Sequence, residues 1–197
     1  MVPQPRTTKS AEEYLAFERS TDQRHEYDGA AIYPMAGASE QHIQICVNLY
    51  GLFYNQFRRR DCMVYTSDMR VHIPLSGLYT YPDVSALCGS PQFLDGHRDT
   101  LLNPTVIIEV LSPSTETYDR GKKFRNYRTL PSLQEYLLIE QDTMHVEHYT
   151  RQPNGQWLLA EVSELRESLV LSSIDCALEV MDIYEKVLPD QTQDRAP

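Results

Sequence analysis

Apolar residues recur with two different periods along this chain of 197 residues, and the periods distinguish helices from strands. Between Ser39 and Arg60 they fall at helical spacing, which predicts the longest helix of the chain. Residues 69–73 alternate like a strand with one buried face, whereas 105–111 is apolar on both faces, as in a central strand. The residues predicted to face inward from the long helix are Ile43, Cys46 or Val47, Tyr50, Phe53 and Phe57.

Capping and turn residues mark the boundaries of further elements. Ser10 and Glu13 have the spacing of a capping box, which predicts a short helix to about residue 19, and Ser39 is the expected N-cap of the long helix. Asp28-Gly29 and Asn154-Gly155 each predict a hairpin turn. The other predicted elements are strands at 62–66, 80–88, 135–139, 144–150 and 156–162, a loop at 89–103, and helices at 118–129 and 177–187.

This order of elements predicts one α/β or α+β domain over residues 1–188, followed by a polar, disordered tail at 189–197. The composition, 41% hydrophobic and 23% charged, is that of an ordinary globular protein. No run approaches the roughly 18 apolar residues of a membrane span, and residues 1–10 lack the apolar region of a secretory signal. We therefore expect a cytoplasmic protein without a membrane partner.

The net charge of −10 and the pI of about 5.0 argue against a protein that coats DNA non-specifically. They do not exclude a nuclease, because a local basic patch and a bound metal can bring a polyanion to one face. The four cysteines are widely spaced and none forms a CxxC pair, so a zinc knuckle is not expected. We expect all four to be reduced and to fill apolar space: Cys46, Cys62, Cys88 and Cys176.

Two predicted strands carry an acid where an apolar residue would be less costly to bury. Asp83 follows Tyr81-Pro82, and Glu109 interrupts the apolar run 105–111. If the two strands are neighbours, the carboxylates can converge on Mg²⁺ or Mn²⁺, and the main-chain carbonyl of Val110 can add a ligand. The alternatives are a buried glutamate satisfied by backbone donors or an arginine, and an aspartate in a Pro-Asp turn.

A lysine near the acids would complete a site for phosphodiester hydrolysis. Asp119, Lys123 and Tyr127 are spaced four apart and line one face of the predicted helix. We favour Lys123, with Lys122 as its substitute, although an Asp119–Lys123 surface pair is the simpler explanation. His42, early in the long helix, could also reach the site or could be purely structural.

Three segments carry a resemblance to a known family: 79–89 (YTYPDVSALCG), 104–140 (PTVIIEVLSPSTETYDRGKKFRNYRTLPSLQEYLLIE) and 145–149 (HVEHY). They resemble the bacterial Uma-two endonuclease family of the PD-(D/E)XK restriction-endonuclease-like superfamily. The resemblance implies a central mixed sheet flanked by helices, with an N-terminal helix and hairpin and a C-terminal hairpin and helix.

The same resemblance assigns residues to roles. Asp83 matches the strand aspartate of the family and Glu109 its second acid. The usual lysine position of the superfamily is Leu111 here, which moves the lysine to Lys123. His42, with Glu26 or Asp28, falls near positions that are polar on the site side in relatives.

The resulting hypothesis is a Mg- or Mn-dependent DNA endonuclease that acts as a homodimer, because one domain cuts one strand. Asp83 and Glu109 would hold the metal, and Lys123 would assist the attacking water or the transition state. One alternative is a non-catalytic binding or regulatory module that retains the nuclease fold. A hydrolase of RNA or of a small phosphoester is the third possibility.

Overall fold

The computed structural model describes residues 9–187, and this part of the chain forms three β-sheets and five α-helices. The helices are α1 (Ala11–Glu18), α2 (Glu40–Phe57), α3 (Glu116–Tyr118), α4 (Phe124–Tyr127) and α5 (Val180–Ile183), and a π-helical turn, Asp119–Lys123, joins α3 to α4. The strands are β1 (His25–Tyr27), β2 (Ile32–Pro34), β3 (Cys62–Thr66), β4 (Arg70–Ile73), β5 (Leu78–Thr80), β6 (Val84–Cys88), β7 (Thr100–Leu101), β8 (Val106–Leu111), β9 (Glu135–Glu140), β10 (Val146–Arg151), β11 (Trp157–Val162), β12 (Ser168–Leu171) and β13 (Cys176–Glu179).

The central sheet has six strands in the order β11-β10-β9-β8-β6-β3. Only β8 and β9 pair in parallel, because the segment α3–π–α4 crosses over between them, whereas the other neighbours are antiparallel. This mixed sheet with flanking helices confirms the predicted α+β fold class.

The two faces of the central sheet pack against different layers. On one face, α2, α5 and the β12–β13 hairpin cover apolar residues such as Val84, Ile108 and Val110. On the other face, the crossover helices cover Ile107, Leu111 and neighbouring residues. Side chains alternate along a strand, so Glu109 shares the second face with Ile107 and Leu111.

A second sheet, in the order β2-β1-β5-β4-β7, packs with α1 around a small aromatic core. Tyr14 of α1 stacks on Tyr27 of β1, and its hydroxyl donates to the carbonyl of His25. These contacts fix β1 beside β5, whose end leads into the central sheet.

Local signals in the sequence predicted several boundaries correctly. Ser10 and Glu13 form the capping box of α1, and Ser39 caps α2. Turns at Gly29 and Gly155, both with positive φ, join β1 to β2 and β10 to β11, as predicted.

The predicted strand 80–88 is wrong, because two strands in two different sheets occupy this region. The chain leaves the second sheet after Thr80 and enters the central sheet at Val84. Pro82 lies between the two strands. Proline has no main-chain N–H and so cannot donate a hydrogen bond to a neighbouring strand. Asp83 therefore precedes β6 instead of lying within a strand.

The predicted C-terminal helix over 177–187 is also wrong. Residues 176–179 form β13, which pairs with the unpredicted β12, and only Val180–Ile183 is helical. Leu178 fits both a helical and an alternating pattern, and pairing with β12 decides between them. The predicted loop 89–103 contains the short strand β7, which pairs with β4.

The inward face of α2 differs from the prediction in part. Ile43 and Val47 are exposed, whereas Ile45 and Leu49 are buried, so the buried stripe is rotated around the helix. The helix ends at Phe57, before the predicted end at Arg60. The apolar periodicity alone could not decide which face of α2 is buried, because the helix has apolar residues on more than one face.

Two of the four cysteines depart from the expectation of reduced thiols. Cys62 and Cys88 are paired residues of β3 and β6 and form a disulfide. Cys46 and Cys176 are free and buried in the same core cluster, as expected. The pairing of β3 with β6 brings the two cysteines together. They are 26 residues apart in the chain, and this spacing alone does not indicate a disulfide.

Within residues 9–187, no helix has both the length and the apolar character needed to cross a membrane. The predicted tail at 189–197 lies outside the described residues.

Adjacent aromatic residues on α2 provide a test of its orientation. Phe53 is fully buried, whereas Tyr54 is 64% exposed. Phe53→Ala should lower the free energy of unfolding by about 3–5 kcal/mol, because it leaves a cavity beneath the sheet. Tyr54→Ala is the matched control and should have little effect, and chemical denaturation of both variants measures the difference. Equal destabilisation by the two substitutions would contradict the observed packing.

Candidate active site

Asp83 and Glu109 meet just beyond the last paired residues of β6 and β8. Val84 pairs with Ile108, so Asp83 lies one step beyond the ladder, opposite Glu109. The main-chain N–H of Val110 donates to Oδ2 of Asp83 at 2.8 Å, which ties the aspartate to the residue after Glu109. The structure thus brings together the two acids that the sequence singled out.

Helix α2 holds Asp83 from the other side. The hydroxyl of Tyr50 donates to the main-chain carbonyl of Asp83 at 2.7 Å, and Nε2 of His42 lies 3.2 Å from Oδ1. His42 therefore does reach the candidate site. The sequence pattern predicts Tyr50 as a core residue, and its position two turns after His42 is the signal that links it to the site.

Glu109 is buried, with a relative exposure of 2%, and its Oε1 atom has two close partners. The hydroxyl of Tyr127 donates to Oε1 at 2.9 Å, and Nζ of Lys123 lies 2.9 Å from the same oxygen. The single helix predicted over 118–129 is divided in the structure, and its π-helical turn supplies Lys123 whereas α4 supplies Tyr127.

Lys123 lies among three carboxylates. Its Nζ atom is 2.9 Å from Glu109, 3.3 Å from Oδ1 of Asp119 and 3.8 Å from Oε1 of Glu26. Lys122 instead points outward and lies 3.4 Å from Asp28. Of the two candidate lysines, Lys123 is the one that lies against the acids.

Glu26 reaches this cluster from the second sheet. Its Oε1 atom accepts a hydrogen bond from the hydroxyl of Thr80, on the neighbouring strand β5. Side chains alternate along a strand, so Glu26 lies on the face of β1 opposite His25 and Tyr27. This alternation is the feature of the sequence that separates Glu26 from its two buried neighbours. Among the described residues, three carboxylates therefore lie against Lys123, those of Glu26, Glu109 and Asp119. Asp83 adds a fourth carboxylate to the cluster, near Glu109.

Burial and the mutual repulsion of the carboxylates shift the pKa values of the cluster. Burial raises the pKa of Glu109 well above its usual value, the nearby Asp119 and Asp83 raise it further, and Lys123 offsets only part of this. Burial likewise raises the pKa of Asp83 despite Lys123 and His42. For Lys123 burial acts to lower the pKa, but the carboxylates, Glu109 first, outweigh it and hold the pKa well above its usual value.

The donor set fits a divalent cation. Oδ1 of Asp119 is buried and has no hydrogen-bond partner among the described residues, although it lies 3.3 Å from Nζ of Lys123. A cation beside the carboxylates would relieve their mutual repulsion, and carboxylate oxygens are the ligands that Mg²⁺ prefers. The N–H of Val110 is engaged with Asp83.

Two further histidines, His145 and His148, have partners outside this cluster. His148 pairs with Glu135 and lies 2.5 Å from its Oε2 atom, whereas His145 lies 3.2 Å from both Glu140 and Glu161. The two histidines are therefore engaged separately, on the β10 side of the sheet.

A mixed central sheet, with two acids at a shared strand end and a lysine from the crossover helix, has the architecture of a restriction-endonuclease-like protein. The profile of the Uma2 family, described as "Putative restriction endonuclease", matches residues 11–180. The chain therefore belongs to the Uma2 family, as the resemblance had implied.

The chain is also similar to two curated proteins and to a solved structure. Two proteins of Synechocystis sp. are similar, and both are named as uncharacterized proteins. The first, sll1609, is 42% identical over 158 residues, which cover 79% of this chain and 89% of that protein. The second, slr1290, is 39% identical over 180 residues, which cover 89% and 90% respectively.

The fold is similar to the crystal structure of a "putative nuclease belonging to DUF820" from Anabaena variabilis, with a TM-score of 0.75 and 19% identity. The match covers 91% of this chain and 99% of that chain. At this identity the likeness establishes a shared fold.

Removing the buried ammonium group tests the balance of charge in the cluster. Lys123→Met should lower the free energy of unfolding at pH 7 by about 3–5 kcal/mol, because it leaves buried carboxylates without a cation. The loss should diminish as the pH falls from 7 towards 5. Lys123 acts to lower the pKa of Glu109, so its removal raises that pKa further. As the pH falls, Glu109 of the folded variant therefore takes up a proton that the unfolded chain does not yet bind above about pH 4.3.

Lys122→Met is the matched control, since Lys122 is exposed and should contribute little. Urea denaturation of both variants at several pH values measures the effect. A Lys123→Met variant as stable as Lys122→Met at pH 7 would show that the carboxylates do not need Lys123.

Proposed function

We propose that this protein is a divalent-metal-dependent endonuclease that hydrolyses DNA in the cytoplasm. The observation that carries the proposal is the convergence of Asp83 and Glu109 with Lys123, whose Nζ lies 2.9 Å from Glu109. Membership of a family described as "Putative restriction endonuclease" supports the same class of reaction.

Asp83 and Glu109 would hold the metal, Mg²⁺ or Mn²⁺, with the carbonyl of Val110 as a further ligand. Bound there, the ion would lower the pKa of a water molecule and neutralise charge that grows on the phosphate. The three carboxylates around Lys123 support this role, because a single lysine can balance the charge of only one of them.

Lys123 would act as a cation and not as a general base. Its raised pKa keeps the amine protonated at neutral pH, so it can donate hydrogen bonds but cannot take a proton from water. An ammonium group beside the scissile phosphate would stabilise the negative charge of the transition state. Tyr127 and Asp119 would position this lysine, since both contact the same Glu109–Lys123 pair.

The proposed homodimer follows from the presence of one candidate active site in each chain. One such site cuts one strand, so cleavage of both strands of a duplex would require a homodimer. The net charge of −10 implies that DNA binding relies on the metal and on local cations, because the protein as a whole repels a polyanion.

The acids provide the direct test of catalysis. Asp83→Asn and Glu109→Gln should each reduce Mg-dependent DNA cleavage by at least about a hundredfold, because loss of a metal ligand removes several kcal/mol of charge stabilisation. Both substitutions preserve shape, so circular dichroism should show a folded protein. Asp61→Asn, an exposed acid beyond the opposite end of α2 from His42, is the control and should cleave like the parent. Cleavage at the parental rate by either acid variant would refute the catalytic assignment.

The second candidate function is a non-catalytic module that keeps the nuclease fold, and the acidic net charge favours it. Calorimetric titration with Mg²⁺ or Mn²⁺ separates the two candidates. An endonuclease should give a binding isotherm that is lost in Asp83→Asn and Glu109→Gln. Absence of an isotherm in the parent protein, together with absence of cleavage, would favour the module.

A further inference from the structure

A second set of potential metal ligands lies on the α2 side of Asp83. One nitrogen of His42, the thiol of Cys46 and one carboxylate oxygen of Asp83 lie within 4.8 Å of one another. We propose that these three side chains bind a transition-metal ion of the zinc type. The inference deepens the proposed function, and it rests on that function for the role of the ion but not for its binding.

The local geometry of α2 supports the proposal. His42 and Cys46 are four residues apart, so they project from the same face of the helix. This is the spacing by which paired ligands on a helix hold zinc in other proteins. Tyr50 continues the same stripe, and its hydrogen bond to the carbonyl of Asp83 holds the third ligand against the helix.

The distance between His42 and Asp83 agrees with direct coordination. Nε2 of His42 lies 3.2 Å from Oδ1 of Asp83. In a tetrahedral site with metal–nitrogen and metal–oxygen bonds of about 2.0–2.1 Å, two such ligand atoms lie roughly 3.3 Å apart. An ion could therefore replace the histidine–aspartate hydrogen bond with little movement of either side chain.

Ligand chemistry indicates which metal this set prefers. An imidazole and a thiolate favour zinc-type ions, whereas an all-oxygen set favours Mg²⁺. Binding would release the thiol proton of Cys46 to solvent, and the sulfur electron pair would form the bond to the metal. Three protein ligands leave a fourth position for water, as in catalytic zinc sites.

Partial burial is compatible with such a site. The side chain of His42 is 13% exposed and that of Asp83 is 17% exposed, which provides a path for an ion. Nδ1 of His42 is buried and has no hydrogen-bond partner among the described residues. The imidazole is therefore held chiefly through the nitrogen that faces Asp83.

Cobalt provides a test that does not depend on cleavage. The full chain, stripped of metal by a chelator, is titrated with Co²⁺, and thiolate-to-cobalt charge-transfer absorption is followed in the near ultraviolet. No thiol reductant is added, because reduced Cys62 and Cys88 would offer another pair of thiolates. We expect the band in the parent protein and its loss in Cys46→Ser.

Cys176→Ser is the matched control, because Cys176 is the other free cysteine of residues 9–187 and is buried in the same core cluster. It should keep the band. Loss of a residue that only supports a metal ligand typically weakens metal binding about 10- to 100-fold. His42→Ala removes a ligand itself, so it should weaken Co²⁺ binding by at least this factor.

A parent protein without the band, or a Cys46→Ser variant that retains it, would overturn the proposal. The band without any metal-dependent DNA cleavage would refute the proposed endonuclease and leave this metal site standing. Mg-dependent DNA cleavage without the cobalt band would refute this metal site and leave the proposed endonuclease standing.

Discussion

The ion pair between Lys123 and Glu109 is the interaction on which the centre of the molecule depends. Glu109 lies in the central strand β8, where an uncompensated carboxylate would be strongly destabilising. The crossover segment between β8 and β9 must therefore dock with Lys123 facing the sheet. The same docking brings Tyr127 and Asp119 to the pair, so fold stability and the candidate chemistry rely on one contact.

Asp83 occupies the point where the chain passes from one sheet to the other. Because it precedes β6, its side chain can meet β8 through the N–H of Val110 and α2 through His42. Asp83 thus connects a carboxylate-rich side, which suits Mg²⁺, to a side with imidazole and thiol groups. This position explains why one residue belongs to both of the proposed ligand sets.

Much of the fold could be predicted because local signals agree with the tertiary structure. The caps at Ser10 and Ser39 and the turns at Gly29 and Gly155 lie where the sequence places them. The predictions failed where a local pattern allowed two structures. Residues 80–88 look like one strand, and only the division between two sheets separates them; likewise β13 looks like the start of a helix until β12 pairs with it.

The sequence by itself determined the family, the helix spacing that places Asp119 and Lys123 on one face, and the two acids that are costly to bury. Only the tertiary structure decided that Glu26 joins Lys123 and that Cys46 lies beside Asp83. Helical and strand periods relate residues a few positions apart, whereas strand pairing and helix docking choose neighbours far away in the chain. The metal sites proposed here are made of such distant neighbours, because each requires residues from more than one element of the fold.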